Sequence, residues 1–457
     1  MFSCVLLAAL AAFAATALYW STRSAEQYRY SMDGKIIVDR EFVQHGAAYM
    51  PFVRGVNYAL SLLPEASLSF DHLVSHARWR CSAAEEDQLS NYSIQALRAL
   101  TTAYEVDKPA LTSVGRWMIH ENLIGGLCTQ YALLQLERDR PEIFSQTKIS
   151  AVVIAGAPRT GSTHLLSTLC QHPNATCLTF AEATDPIAPG YLAPHQLLTM
   201  VDYRLWKNMF AALIVQLLRP LFPYMQKFSA TTPMEEIILG DVFFASSVKL
   251  TSCHLPTYDK WFRETDHYEM EVGVRKLLQV IQYQRGGEER MWVLKSPQNA
   301  NQLGPKSRVY PNSQFVFTHR RALPVVQSLA GMIGYMVGMF SDPSKVDQTK
   351  FIADWVDHQQ WSQERILPEE IAKHLNTKQV LHVKFDEYMA HPVTMALSVA
   401  KHAGLSHGQD IFQIFTEFQL SSPQEGSKVL KYDLDSFGVT AQTVQAKFAK
   451  YQAAYDL

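Results

Sequence analysis

The chain has 457 residues, with 41 Lys+Arg against 43 Asp+Glu and a formal net charge of −2. So even a balance excludes a broad electrostatic grip on nucleic acid, which needs an excess of cations. Hydrophobic residues at 47% and charged residues at 18% exclude a disordered chain, and the length allows a sizeable core.

Residues 2–20 are apolar except for Ser3, Cys4 and Thr16, just enough to cross a bilayer at about 20 residues per span. Residues 1–22 therefore read as a membrane anchor or signal segment. Arg23, Arg29 and Lys35 follow the run and no cation precedes it, which favours a cytoplasmic C-terminal side. Ala15-Thr16-Ala17 is the rival signal-peptide cleavage site, and a buried first helix is the bland alternative. Asn91-Tyr-Ser93 and Asn174-Ala-Thr176 fit the glycosylation triplet and argue for a lumenal side instead. Six cysteines (Cys4, Cys81, Cys128, Cys170, Cys177 and Cys253) form no CxxC pair, so there is no zinc-ribbon or thioredoxin signal. One or two disulfides fit if the chain meets an oxidising lumen.

Residues 40–147 carry helical spacing, clearest from Leu111 through Trp117 to Leu123, until Asp139-Arg-Pro141 breaks it. From residue 148 the texture changes. Ile149-Ser-Ala-Val-Val-Ile-Ala155 is a short β-branched run. Similar runs sit at 292–294, 314–318 and 380–384, with helical stretches between them. Short apolar strands alternating with helices predict an α/β fold, a parallel sheet of about five strands flanked by helices, over 148–457. A second strand is expected at 176–180 and one last helix at 442–455. Segment 195–285 is mostly helical and rich in Trp, Tyr, Phe and Met, as suits a substrate-facing insertion.

The most informative stretch is Gly156-Ala-Pro-Arg159-Thr160-Gly161-Ser162-Thr163-His164. A Gly-containing turn between strand and helix aims backbone N–H groups at an anion. In a nucleotide P-loop a Lys follows the second Gly and reaches the β/γ-phosphates. Here that position is Ser162, and the loop's cation is Arg159. The bland reading is a strand-to-helix turn with Ser/Thr caps.

Pro158-Arg-Thr-Gly-Ser-Thr163 resembles the phosphosulfate loop of sulfotransferases that use 3′-phosphoadenosine 5′-phosphosulfate (PAPS). Arg320 and Ser328, eight residues apart across a strand-to-helix step, resemble that family's 3′-phosphate pair. A guanidinium fork suits a phosphate without the analogy. Trp292-Val-Leu-Lys295-Ser-Pro297, Val383-Lys-Phe-Asp386-Glu387 and Lys431-Tyr432 through Phe437-Gly438 also resemble family segments, and Leu111 to Ile143 resembles its N-terminal helices, so the likeness spans about 105–455. It is closest to the large membrane-associated and bacterial-type branch and is related to protein-tyrosine sulfotransferases.

The resemblance implies in-line sulfuryl transfer from PAPS, with PAP as product and no metal. Arg159, Thr160, Gly161, Ser162, Thr163, Arg320 and Ser328 would bind the cofactor, with Lys431 and Tyr432 closing over it. Glu182 is the expected general base, Lys295 a contact to the transferring sulfonate, and Arg159 the stabiliser of the leaving oxygen. Cytosolic relatives use a His in the segment that here is Lys295-Ser-Pro297-Gln298. Asp185 is a weaker second carboxylate, and His164 and His319 flank the two cofactor motifs. Glu235-Glu236 follow Pro233 in a helix's first turn, where acids suit the dipole. Relatives carry a His-Pro pair ahead of such acids, where this chain has Lys227-Phe228. The acceptor stays open among small-molecule, lipid, glycan and tyrosyl groups. The rivals are a P-loop kinase and an inactive membrane-tethered binding protein.

Overall fold

The computed structural model describes residues 31–32, 34–43, 51–188, 194–219, 221–225, 229–421 and 430–457. The apolar run 2–20 and Lys227-Phe228 lie outside the described residues. No helix among the described residues is long and apolar enough to cross a membrane.

A short strand β1 (Ile36–Val38) pairs in parallel with the late strand β7 (Leu430–Tyr432). Between them lie β2 (Ser150–Gly156), β3 (Ala175–Thr176), β4 (Met291–Lys295), β5 (Gln314–His319) and β6 (Val380–Lys384). These form one all-parallel sheet in the order β3-β4-β2-β5-β6. The expected five-strand α/β sheet is therefore present. Its central strands β4, β2 and β5 are mainly apolar on both faces. Val152, Ile154, Val293 and Val316 join one buried cluster, and Val153, Ala155, Phe315 and Phe317 join another. That period-two split into two buried faces is why the strands lack polar alternation.

Three long helices precede the sheet: α1 (Phe70–Cys81), α2 (Asn91–Val106) and α3 (Ser113–Asp139). Ser90 and Thr112 cap the second and third, each hydroxyl accepting from the amide three residues on. α3 stops at Asp139, with Pro141 just beyond it. These helices share one apolar cluster with Trp292 and Leu294 of β4. Cys81–Cys128 ties the end of α1 to α3, and Cys170–Cys177 closes a loop that contains β3. Cys253 is a buried free thiol, its pKa pushed up to about 12 by burial.

The site is positioned by α4 (Ser162–Leu169), α5 (Phe180–Thr184), α6 (Tyr268–Gln284), α7 (Leu303–Val309) and α8 (Ala322–Val337). Two expectations need correction. The strand expected at 176–180 covers only Ala175–Thr176, because Thr179 starts α5 with a capping box that closes on Glu182. The last helix, expected at 442–455, is two helices, Ala441–Lys447 and Ala449–Tyr455, joined at the buried Phe448.

Candidate active site

The chain leaves β2 to one side through β3 and β4, and later adds β5 and β6 on the other. β2 therefore sits at the reversal point, where open α/β sheets bind ligands beyond their strands' carboxyl ends. The loop starts at Gly156, where a Cβ would stand 2.4 Å from the Thr318 carbonyl oxygen. Arg159 (φ 66°) and Gly161 (φ 78°) are both left-handed, which turns the chain into α4. The orphan N–H groups of that helix's first turn then face the cleft.

The cleft has a volume of ≈ 580 Å³. Arg159, Gly161, Ser162, Thr163, Lys295 and Arg320 line it. Arg159 Nε donates to Ser328 Oγ at 3.1 Å, and Arg320 Nη1 donates to the Arg159 carbonyl at 2.6 Å. Two motifs far apart in sequence thus converge. Arg320 also stacks on Phe385 at 3.8 Å. Burial first, and then the Arg159 charge, push the Arg320 pKa down. Among the described residues neither Arg159 nor Arg320 has an ion-pair partner. That is the electrostatic signature of a place kept for an anion.

Lys295, at the end of β4, is buried. Its Nζ donates to Thr163 Oγ1 at 3.1 Å and is ion-paired to Glu235. Tyr432 lies against α8, where a Cβ on Gly331 would meet its ring. Burial raises the Tyr432 pKa, while Arg159 and a hydrogen bond with Ser328 pull it back. Lys431 beside it is exposed. The Thr160 hydroxyl is turned away from the cleft. It donates to the Ala157 carbonyl at 2.8 Å and lies 2.7 Å from Thr318 Oγ1.

Glu182 is not at the cleft. β4 stands between β3 and β2, so a residue following β3 is one strand removed from the loop. Its carboxylate is 2% exposed and fully engaged. Thr179 donates to it from N and Oγ1, and Arg285 grips both oxygens at 2.8 and 2.5 Å. Burial alone would raise its pKa, but Arg285 and Thr179 outweigh it and the net shift is downward. Such a group braces structure; the expectation of a base at Glu182 meets no geometry that supports it. Asp185 is also outside the cleft, paired with Lys207 at 2.7 Å.

The carboxylate that does line the cleft is Glu235. The acidic pair after Pro233 splits. Glu236 is buried, accepting from Asn299 at 2.7 Å and pairing with Lys306, which also holds Glu271 at 2.9 Å. Glu235 faces outward to Lys295. Pro233 is bridged to Thr179, which fixes the segment beside the sheet edge. Sequence reading put this pair in a helix's first turn, but that helix begins at Ile237 with Glu236 at its N-cap, and the split between the two acids rests on the distant Lys306.

His164 lines the cleft with Nδ1 2.6 Å from the Tyr388 hydroxyl, its pKa lowered by burial. His319 is buried against Tyr455, and burial and then His382 push its pKa to about 3. It is a neutral packing group. His358, unnoticed in the sequence, also lines the cleft and sits 2.6 Å from Asp259.

The profile of the sulfotransferase family matches residues 151–409. The fold resembles that of the sulfotransferase STF1 from Mycobacterium tuberculosis H37Rv, with TM-score 0.70 and 21% identity over 85% of this chain and 100% of that one. It also resembles the sulfotransferase STF9 from Mycobacterium avium, with TM-score 0.73 and 19% identity over 86% of this chain and 97% of that one. No curated protein matches the chain.

Glu182→Ala should cost about 3–5 kcal/mol, the usual result of leaving one member of a buried pair alone. The Glu182 pKa lies below its ordinary 4.5 in the folded state. Its contribution is therefore full above that value and lost as pH falls through the folded value. Urea unfolding of both proteins should show a large deficit at neutral pH that shrinks in acid. A deficit that is constant with pH would show that the carboxylate charge contributes nothing.

Proposed function

This chain belongs to the sulfotransferase family, and we propose that it moves a sulfuryl group from PAPS to a hydroxyl or amine acceptor. The observation that carries the reading is the meeting of Arg159, Ser328 and Arg320 at one end of the cleft. One guanidinium pair and a helix hydroxyl suit a 3′-phosphate, and the loop amides suit the 5′-phosphosulfate. PAPS supplies the sulfuryl group. The residues do the rest.

Glu235 accepts the acceptor's proton as the acceptor oxygen forms its bond to sulfur. The bond from sulfur to the bridging oxygen breaks, and its electron pair leaves with PAP. Lys295, the hydroxyl of Thr163 and the amides opening α4 offset the charge that gathers on that oxygen. Arg159 adds to the phosphate end. The Lys295–Glu235 pair is the resting arrangement: when Lys295 turns to the sulfuryl group, Glu235 is released to act as base. Ser162 stands where a kinase loop needs its Lys, so ATP is poorly served. Ile237, Val248, Met332, Ile333, Trp355 and Phe385 also line the cleft. This apolar wall favours an alcohol on an apolar or aromatic body over a highly polar one.

The same reading keeps residues 2–20 as a membrane anchor. Cys81–Cys128 and Cys170–Cys177 favour an oxidising lumen for the rest of the chain, and Asn91 and Asn174 are both exposed. Thiol labelling in intact cells should miss all four cysteines until a reductant is added. Labelling without reductant would place the chain in a reducing compartment.

Calorimetric titration of the full chain should show PAP binding without magnesium. Arg320→Ala should weaken it about 10–100-fold, the worth of one charged hydrogen-bonding group. A preference for Mg-ATP would sink the proposal. Glu235→Gln should leave PAP binding intact and lower kcat about 10²–10⁴-fold. An unchanged kcat would remove Glu235 from the role of base.

A further inference from the structure

Away from the cleft, three histidines gather where the N-terminal helices touch. His72 and His76 are four residues apart on α1, so they share a face. His120 comes from α3. One ring nitrogen of each lies within 4.8 Å of the others. The ring centroids are 5.6, 5.6 and 5.3 Å apart. The two helices are locked together a few residues further on by Cys81–Cys128. The cluster is therefore held in place by a covalent link outside it.

His120 is buried, and its Nδ1 lies 3.3 Å from Glu121 Oε1. Glu121 in turn accepts from Arg80 at 2.7 Å. A carboxylate on the far nitrogen is the outer partner that metal-bound imidazoles usually have, and it leaves Nε2 for a ligand. Zinc–nitrogen bonds of about 2.0–2.1 Å put tetrahedral ligand atoms roughly 3.3 Å apart. His72 is exposed, so its side chain is free to close the remaining gap. Three imidazoles with no carboxylate among them suit a borderline divalent cation and exclude the hard oxygen-seeking ones.

We propose that His72, His76 and His120 bind one zinc-class divalent cation, with water at the fourth position, and that the metal staples α1 to α3. His72-x3-His76 has the i, i+4 spacing of a helical ligand pair. The pair on α1 is incomplete by itself, and its third ligand arrives only when α3 folds against it. The site is independent of the sulfotransferase reading, since none of its residues lines the cleft.

The test uses the full chain without a histidine tag, stripped with a chelator and titrated with zinc against a chromophoric competitor. Uptake should be about one equivalent per chain, and cobalt should give the intense visible absorption of a four-coordinate ion. His72→Gln changes an exposed side chain and will not disturb folding. It should weaken binding by more than about 10-fold, and Glu121→Gln by about 10–100-fold. His195→Gln, at an exposed position outside the cluster, should change nothing. Zinc should raise the Tm of the parent chain and not that of His72→Gln. Equal zinc affinity in the parent and in both His72→Gln and His120→Gln would overturn the proposal. So would a parent chain that competes for zinc no better than His72→Gln.

Discussion

The site depends on one close approach between two strands. β2 and β5 run side by side, and Gly156 passes the Thr318 carbonyl at a distance no Cβ can tolerate. With that contact the chain leaves the sheet low and turns tightly. Two left-handed residues then point the first turn of α4 back over the strand ends. Thr160 and Thr318 tie the turn from inside by their hydroxyls. The loop's geometry thus comes from β5 as much as from the loop itself. Arg320, which follows β5, inherits its position from the same register and reaches the Arg159 carbonyl.

The acids around the sheet separate into two kinds by what they face. Glu182 and Glu236 are buried and each is held by a cation and by uncharged donors, so each offsets a desolvation cost of several kcal/mol with its partners. Glu235 differs. It keeps partial exposure and pairs with a lysine whose other contact is a loop hydroxyl. An acid of the first kind is expensive to disengage, whereas one of the second kind can exchange partners when an anion arrives. The adjacent pair Glu235-Glu236 therefore serves two purposes from one turn: Glu236 anchors the segment to Lys306, and Glu235 stands in the cleft.

The sheet and the loop were legible because they rest on local patterns, and the meeting of Arg159, Arg320 and Ser328 because their motifs resemble those of a known family. Apolar runs bounded by Gly mark doubly buried strands, and a strand-to-helix turn marks an anion site. What escaped depends on lateral order. Glu182 follows a strand directly after the loop helix, and nothing in the chain's own order says that β4 will later insert between that strand and β2. The same late insertion brings Lys295 to Thr163. The split of Glu235 from Glu236 rests on Lys306, seventy residues on in sequence. The histidine cluster rests on α1 meeting α3. Each miss is a tertiary pairing between segments whose local patterns are ordinary.

A cleft that gathers Arg159, Lys295 and Arg320 works against the fold that contains it. Arg320 is partly dehydrated and is also repelled by Arg159, and burial first and then that charge lower its pKa. Their positions persist because the surroundings over-determine them. Phe385 covers one guanidinium, Ser328 and the Met225 carbonyl hold the other, and Tyr432 packs behind. Stability must then come from elsewhere, and the N-terminal layer is one source of it. Its helices share one apolar cluster with β4 and carry a disulfide between them. Preorganised charge in a site lowers the reorganisation needed when an anion arrives, at a cost in stability of the empty protein. On this reasoning the helices ahead of the sheet are not an appendage. They belong to the same apolar cluster as Trp292 and Leu294, on the strand that carries Lys295, and so extend the core behind the element that holds that cation.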